Sequence, residues 1–224
     1  MSYYPILLDL RGQTTVVVGG GQVAQRKIET LLEHGADVHV IANELTPTLR
    51  DQVEAGKITW NGAEYDERAL KGTFLVVAAT DNTALNRQVS EDAKRKGILI
   101  NAVDQPSDCS FIVPSVLRRG DLLIAVSTSG SSPMLAKKIR RTLEKQFGEE
   151  YEMFLNLMGA LRKEILARGL SQDANRRIFR ALVDSPILEA IGQRRWNDVA
   201  SMVNEITQTE WSAREISKLV FGGS

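Results

Sequence analysis

A chain of 224 residues with 43% hydrophobic and 25% charged residues has room for one large domain or two smaller ones, each with a sizeable core. Its 28 Lys and Arg balance 28 Asp and Glu, so nothing in the charge asks for nucleic acid or an acidic membrane as partner. A single cysteine, Cys109, excludes an internal disulfide; with only His34 and His39 beside it there is no cluster at metal-ligand spacing, and no protein-held metal is expected. The opening MSYYPILLDL lacks the basic start and apolar core of a signal peptide, and no apolar run approaches the roughly 20 residues that span a bilayer, so a cytoplasmic location is expected.

In chain order, β-rich runs alternate with helical patterns, as in βαβ units around a parallel sheet. TTVVVG (14–19) is a buried strand, followed by an amphipathic helix over 23–34. ADVHVIA (36–42) is a second strand, ELTPTLRDQVEAG a second helix, KITW a short third strand and TFLVVAAT (73–80) a fourth. A helix over 82–96, closed by Gly97, leads to a fifth strand, GILINAVD, ending at Asp104. Beyond it the alternation stops. FIVP and LLIAVS, joined by VLRRGD with its Arg-Gly-Asp turn signal, predict a hairpin, and from Pro133 onward the chain reads as almost entirely helical: 134–148, 149–170, 174–183, 196–207 and 211–220. The expected fold is α/β: an N-terminal Rossmann domain with a parallel sheet (1–110), a small dimerisation segment (111–148) and a C-terminal helical domain (149–224).

Gly19, Gly21 and Ala24 fit G-x-G-x-x-A, placed after a strand and opening a helix. Gly19 allows the tight turn, Gly21 lets a pyrophosphate approach the main chain, Ala24 lets helix and strand pack closely, and the helix N-terminus faces the negative charge; Gln22 and Val23 lie within the same turn. Such a site usually places an acid about 20 residues further on to hold the adenosine ribose. Here the second strand ends without one, so Asn43 or Glu44 takes that role; Glu44 reads equally as an acid in the first turn of the second helix. No Lys or Arg follows until Arg50, which favours NAD over NADP.

With GGGQVAQRK, AATDN and NAVDQPSDCSFIVPS in this order, together with YYPILLDLRG and SGSSPMLAKKIRR, the chain resembles the NAD-dependent precorrin-2 dehydrogenases of sirohaem synthesis, including the dehydrogenase and ferrochelatase module of sirohaem synthases. The resemblance runs over essentially the whole chain. It implies oxidation of precorrin-2 to sirohydrochlorin with NAD as hydride acceptor, in some members insertion of ferrous iron to give sirohaem, and a homodimer built through the segment after the Rossmann domain. Within AATDN it places Thr80 and Asp81 on the cofactor side.

Asp104, at the carboxyl end of the fifth predicted strand, is the candidate catalytic base; the alternative is an aspartate that shapes the VDQP turn. STSGSSP offers Ser127, Thr128, Ser129 and Ser131 ahead of the helix MLAKKIRR, whose first basic residue is Lys137, a candidate site for the carboxylates of precorrin-2; the same stretch also suits an ordinary helix N-cap. Cys109 reads as a small buried hydrophobe, and Trp196 and Trp211 as core of the helical tail. A competing, non-enzymatic reading is a nucleotide-sensing regulatory Rossmann module.

Overall fold

A computed structural model describes residues 3–222, and the chain divides between Val113 and Pro114 into two compact units. In the first, five parallel strands, β1 (Thr14–Val18), β2 (Asp37–Ile41), β3 (Thr59–Trp60), β4 (Leu75–Ala78) and β5 (Leu99–Ala102), stand in the order β3-β2-β1-β4-β5. That is the Rossmann order, with β1 central. The β-branched run of β1 is buried on both faces, as a parallel strand between two helical layers must be. Its alternation sorts the layers. Val17 faces a cluster containing Ala24 and Ile28 of α1 (Gln22–Glu33) and Leu49 of α2 (Pro47–Glu54), whereas Val16 and Val18 join Val89 and Ala93 of α3 (Thr83–Arg95).

Two sequence expectations shift here. The fifth strand ends at Ala102; its ladder makes a last bond from Val103 N–H to Ala78 O, and the chain then turns, leaving Asp104 beyond the strand with a left-handed φ of 59°. The second helix begins at Pro47 behind its cap Thr46, and its first turn carries no acid, so Glu44 is not a first-turn residue.

The second unit opens with an antiparallel hairpin, β6 (Ser115–Arg119) and β7 (Leu122–Val126). The hairpin was expected, but its first strand is SVLRR and not FIVP. Gly120, with φ 54°, opens the two-residue turn that pairs Arg119 with Leu122, and this turn fixes the register. Six helices follow: α4 (Pro133–Gln146), α5 (Glu150–Ala167), α6 (Gln172–Asp184), α7 (Ile187–Gly192), α8 (Trp196–Thr207) and α9 (Ala213–Val220). Side chains of α5 to α9, among them Leu157, Leu161, Leu182, Ile191, Val203 and Ile216, form one apolar core, against which Trp196 and Trp211 pack half-buried. Among the described residues no helix is long and apolar enough to cross a membrane.

Candidate active site

The exits of β1, β2 and β4 enclose a cleft of about 690 Å³, lined by 18–23, 41–44, 63–65, 79–82 and Leu85. Each glycine of the β1–α1 turn has a different reason to be glycine. Gly19 holds φ 126°, its N–H bonds Ile41 O at 2.8 Å, and an added Cβ would lie 2.3 Å from Ala79 O. At Gly20 a Cβ would lie 2.0 Å from Glu44 O. These two glycines let the turn press against the neighbouring strand exits. Gly21 differs: as N-cap of α1 it is extended, α1 has no side-chain cap, and a Cβ would meet no protein atom within 4 Å. Room and unsatisfied helix N–H groups therefore coincide at Gly21, which suits a diphosphate. Ala24 is fully buried against β1 and β2, so helix and sheet approach closely.

Of the sequence candidates, Gly19, Gly21, Gln22, Val23, Asn43, Glu44, Thr80 and Asp81 all line this cleft, and Ala24 underlies it. Sequence reasoning missed Gly20, Ala63, Glu64, Tyr65, Asn82 and Leu85. The triplet itself was a signal for Gly20; the loop after β3 carries no motif. The charged lining residues are Glu44, Glu64 and Asp81, with no Lys or Arg among them.

The β4–α3 turn is tied down from within. Asn82 caps α3 through Leu85 N–H at 3.0 Å, and the buried Asn86 accepts Thr80 N–H at 3.2 Å, lies 2.7 Å from Thr80 Oγ1 and donates to Thr80 O at 2.9 Å. Asp104 follows the adjacent strand β5. It is exposed, at the third position of a turn closed by Gln105 N–H to Ala102 O at 3.3 Å, and it does not line the cleft. Asp104 thus occupies a turn position whose left-handed backbone aspartate tolerates better than most side chains.

Residues 105–110 fold back along β5. The Cys109 thiol accepts Ala102 N–H at 3.2 Å and Ser110 Oγ accepts Ile100 N–H at 2.9 Å, satisfying donors on the outer edge of the sheet. Burial pushes the half-buried Cys109 thiol above its ordinary value, which does not suit a nucleophile.

In the second unit, the loop before α4 is organised by its own hydroxyls. Ser127 Oγ accepts Ser129 N–H and Thr128 Oγ1 accepts Ser132 N–H, each at 3.0 Å, while Ser132 caps α4 through Leu135 N–H at 3.3 Å. The N-cap reading therefore holds, with Ser132 as the cap. Ser127 and Thr128 serve as acceptors, so their protons are free to meet an anion, and Ser129, Ser131 and Lys137 are exposed.

The strand order, the glycine turn and the cleft define a Rossmann protein with a dinucleotide site. A family described as putative NAD(P)-binding matches residues 6–115, and one described as sirohaem biosynthesis protein, central, matches 119–146. Curated relatives include the sirohaem synthases of Nitrosococcus oceani, 39% identical over 85% of this chain and 41% of theirs, and of Photorhabdus laumondii, 40% identical over 80% and 38%. The chain thus spans about two fifths of the length of these relatives. Among solved structures, "SirC, precorrin-2 dehydrogenase" superposes with a TM-score of 0.77 at 26% identity, covering 92% of this chain and all of that one. The chain belongs to the precorrin-2 dehydrogenase and sirohaem synthase family.

Proposed function

We propose that this chain is a precorrin-2 dehydrogenase that uses NAD to form sirohydrochlorin. The reading is carried by the dinucleotide cleft at the exits of β1, β2 and β4, which Thr80 lines just after β4, and it is supported by Asp104 following β5, the neighbour of β4 in the sheet. The family and the similarity to a precorrin-2 dehydrogenase support the substrate and favour an enzyme over a nucleotide sensor. The cleft lining supports NAD over NADP, since a 2′-phosphate on the ribose held at Asn43 and Glu44 would meet the Glu44 carboxylate, with no Lys or Arg in the lining to offset it.

Bound NAD supplies the hydride acceptor. Gly21 and the first-turn amides of α1 hold its diphosphate, Asn43 and Glu44 accept from its ribose hydroxyls, and Thr80 and Asp81 border the nicotinamide end. Oxidation of the macrocycle releases a proton along with the hydride, and Asp104 is the base that takes it. Ser127, Thr128, Ser129, Ser131 and Lys137 bind substrate carboxylates. Ferrous iron is a substrate in the same reading, with Asp104 accepting the pyrrole protons it displaces. The expected location is the cytoplasm.

Asp104→Asn tests the assignment cleanly, because asparagine also tolerates left-handed backbone and preserves the turn. Turnover of precorrin-2 should fall by about 10²- to 10⁴-fold, as for other positioned bases, with NAD affinity unchanged. Turnover within about twofold of the parent, in single-turnover measurements at saturating NAD, would leave Asp104 as a turn-former only.

A further inference from the structure

Two polar side chains are buried on one face of α3 without serving the helix. Asn86 is 2% exposed and Ser90 1%, four residues apart and so stacked on one side. Both spend their hydrogen bonds outside α3: Asn86 on the main chain and hydroxyl of Thr80, as described, and Ser90 Oγ on Asp108 O. The outer part of the helix repeats the second tie, with Lys94 Nζ donating to Ser107 O at 3.3 Å and Arg87 Nε facing Asp108 Oδ2 at 3.5 Å. Asp108 N–H in turn bonds Gln105 O at 3.0 Å. The carbonyl that Ser90 grips thus belongs to the short 3₁₀ turn that follows Asp104 directly.

Buried polar groups are kept where their partners matter, since each must be matched or be costly. Here the partners are the backbones of two loops, the Thr80 turn that lines the cofactor cleft and the 3₁₀ turn after Asp104. We propose that α3 is the strut setting these loops relative to one another, with Asn86 a positioning residue for the dinucleotide and Ser90 a positioning residue for Asp104. This rests on the dehydrogenase reading above. The two roles separate because the ties reach different loops: loosening the Thr80 turn disturbs the cofactor, whereas loosening residues 105–109 frees the chain that directly follows Asp104.

The test is a kinetic double dissociation in the full chain. Asn86→Ala should weaken NAD binding in calorimetry about tenfold or more. Ser90→Ala should leave that affinity within about twofold while lowering single-turnover oxidation of precorrin-2 about tenfold, the loss expected from slight misplacement of a reacting group. Lys94→Met, on the solvent side of α3, loosens the same loop without touching the core and should act in the same direction as Ser90→Ala. Amide hydrogen exchange over residues 104–109 should accelerate in Ser90→Ala and Lys94→Met and not in Asn86→Ala. Parent-like exchange and turnover in both loop variants would overturn the proposal, and so would equal losses of NAD affinity and turnover in all three. Should the parent itself fail to oxidise precorrin-2, the dehydrogenase reading falls, while exchange and NAD affinity still decide whether the two ties are separable.

Discussion

Tyr65 shows how a single side chain joins the fold to the cofactor cleft. It lines the cleft, and its hydroxyl donates to Asp92 Oδ2 at 3.1 Å; Asp92, itself buried on α3, also pairs with Arg95. Burial first, and the bond to Asp92 second, push the phenol above its ordinary value near 10.0. The raised folded-state value fixes the sign of its pH dependence. Below about pH 10 the phenol is protonated in both folded and unfolded chains and its contribution is complete; above it the unfolded chain loses the proton first, and stability falls as pH rises. Tyr65→Phe should therefore cost about 0.5–1 kcal/mol at neutral pH, toward the low end of a hydrogen bond because the group is only half-buried. The gap from the parent should narrow above pH 10. Urea melts at pH 7 and pH 10.5 check this, and a gap that widens with pH would reverse the assignment of Tyr65 as donor.

The β1–α1 turn shows where sequence suffices and where it does not. A substitution at Gly19 meets main chain at Ala79, whereas one at Gly21 meets open space, so the two glycines of the motif separate folding from binding. Gly21→Asp should keep the parent's melting temperature within a few degrees and lose NAD binding, because it fills the diphosphate's place with a like charge. Calorimetry showing parent-like affinity would reduce the loop to a turn. This turn was legible because strand, glycines and helix are contiguous and each carries a local pattern. The same holds for β2, β4, α3 and α8, whose periodicity alone places them within a few residues. What escaped depends on contacts distant in sequence or on segments too short for a period. α7 has six residues, β6 hides its pattern in SVLRR beside the more apolar FIVP, and Tyr65 comes to the cleft on a loop with no motif. Asp104 was legible as a carboxylate after a strand, but its left-handed backbone was not, since only the ladder's end at Val103 reveals where the chain must turn.

At the scale of the whole molecule, the hairpin β6–β7 raises the question of what completes it. A two-stranded sheet is marginal alone, and both outer edges of this one lack a strand partner among the described residues. Close by in the chain, α4 leaves Met134 81% exposed, with Leu135 and Ile139 also exposed, while the polar residues Arg140 and Glu144 pair with each other on the same helix. Hairpin edges with no strand partner among the described residues, and a run of exposed aliphatic side chains within one segment, favour a second copy of the chain, because a twofold axis brings the same apolar residues together on both sides. Light scattering at micromolar concentration should therefore give a mass of about 50 kDa, twice the 24.8 kDa of one chain. Met134→Glu together with Ile139→Glu should shift the mass toward the single chain, since burying two carboxylates at such a face is unfavourable without partners. The Rossmann unit has its own core and should keep its affinity for NAD in that variant. A parent mass of 24.8 kDa at this concentration would leave the hairpin edges to be covered within one chain, and the dimer would have to be abandoned.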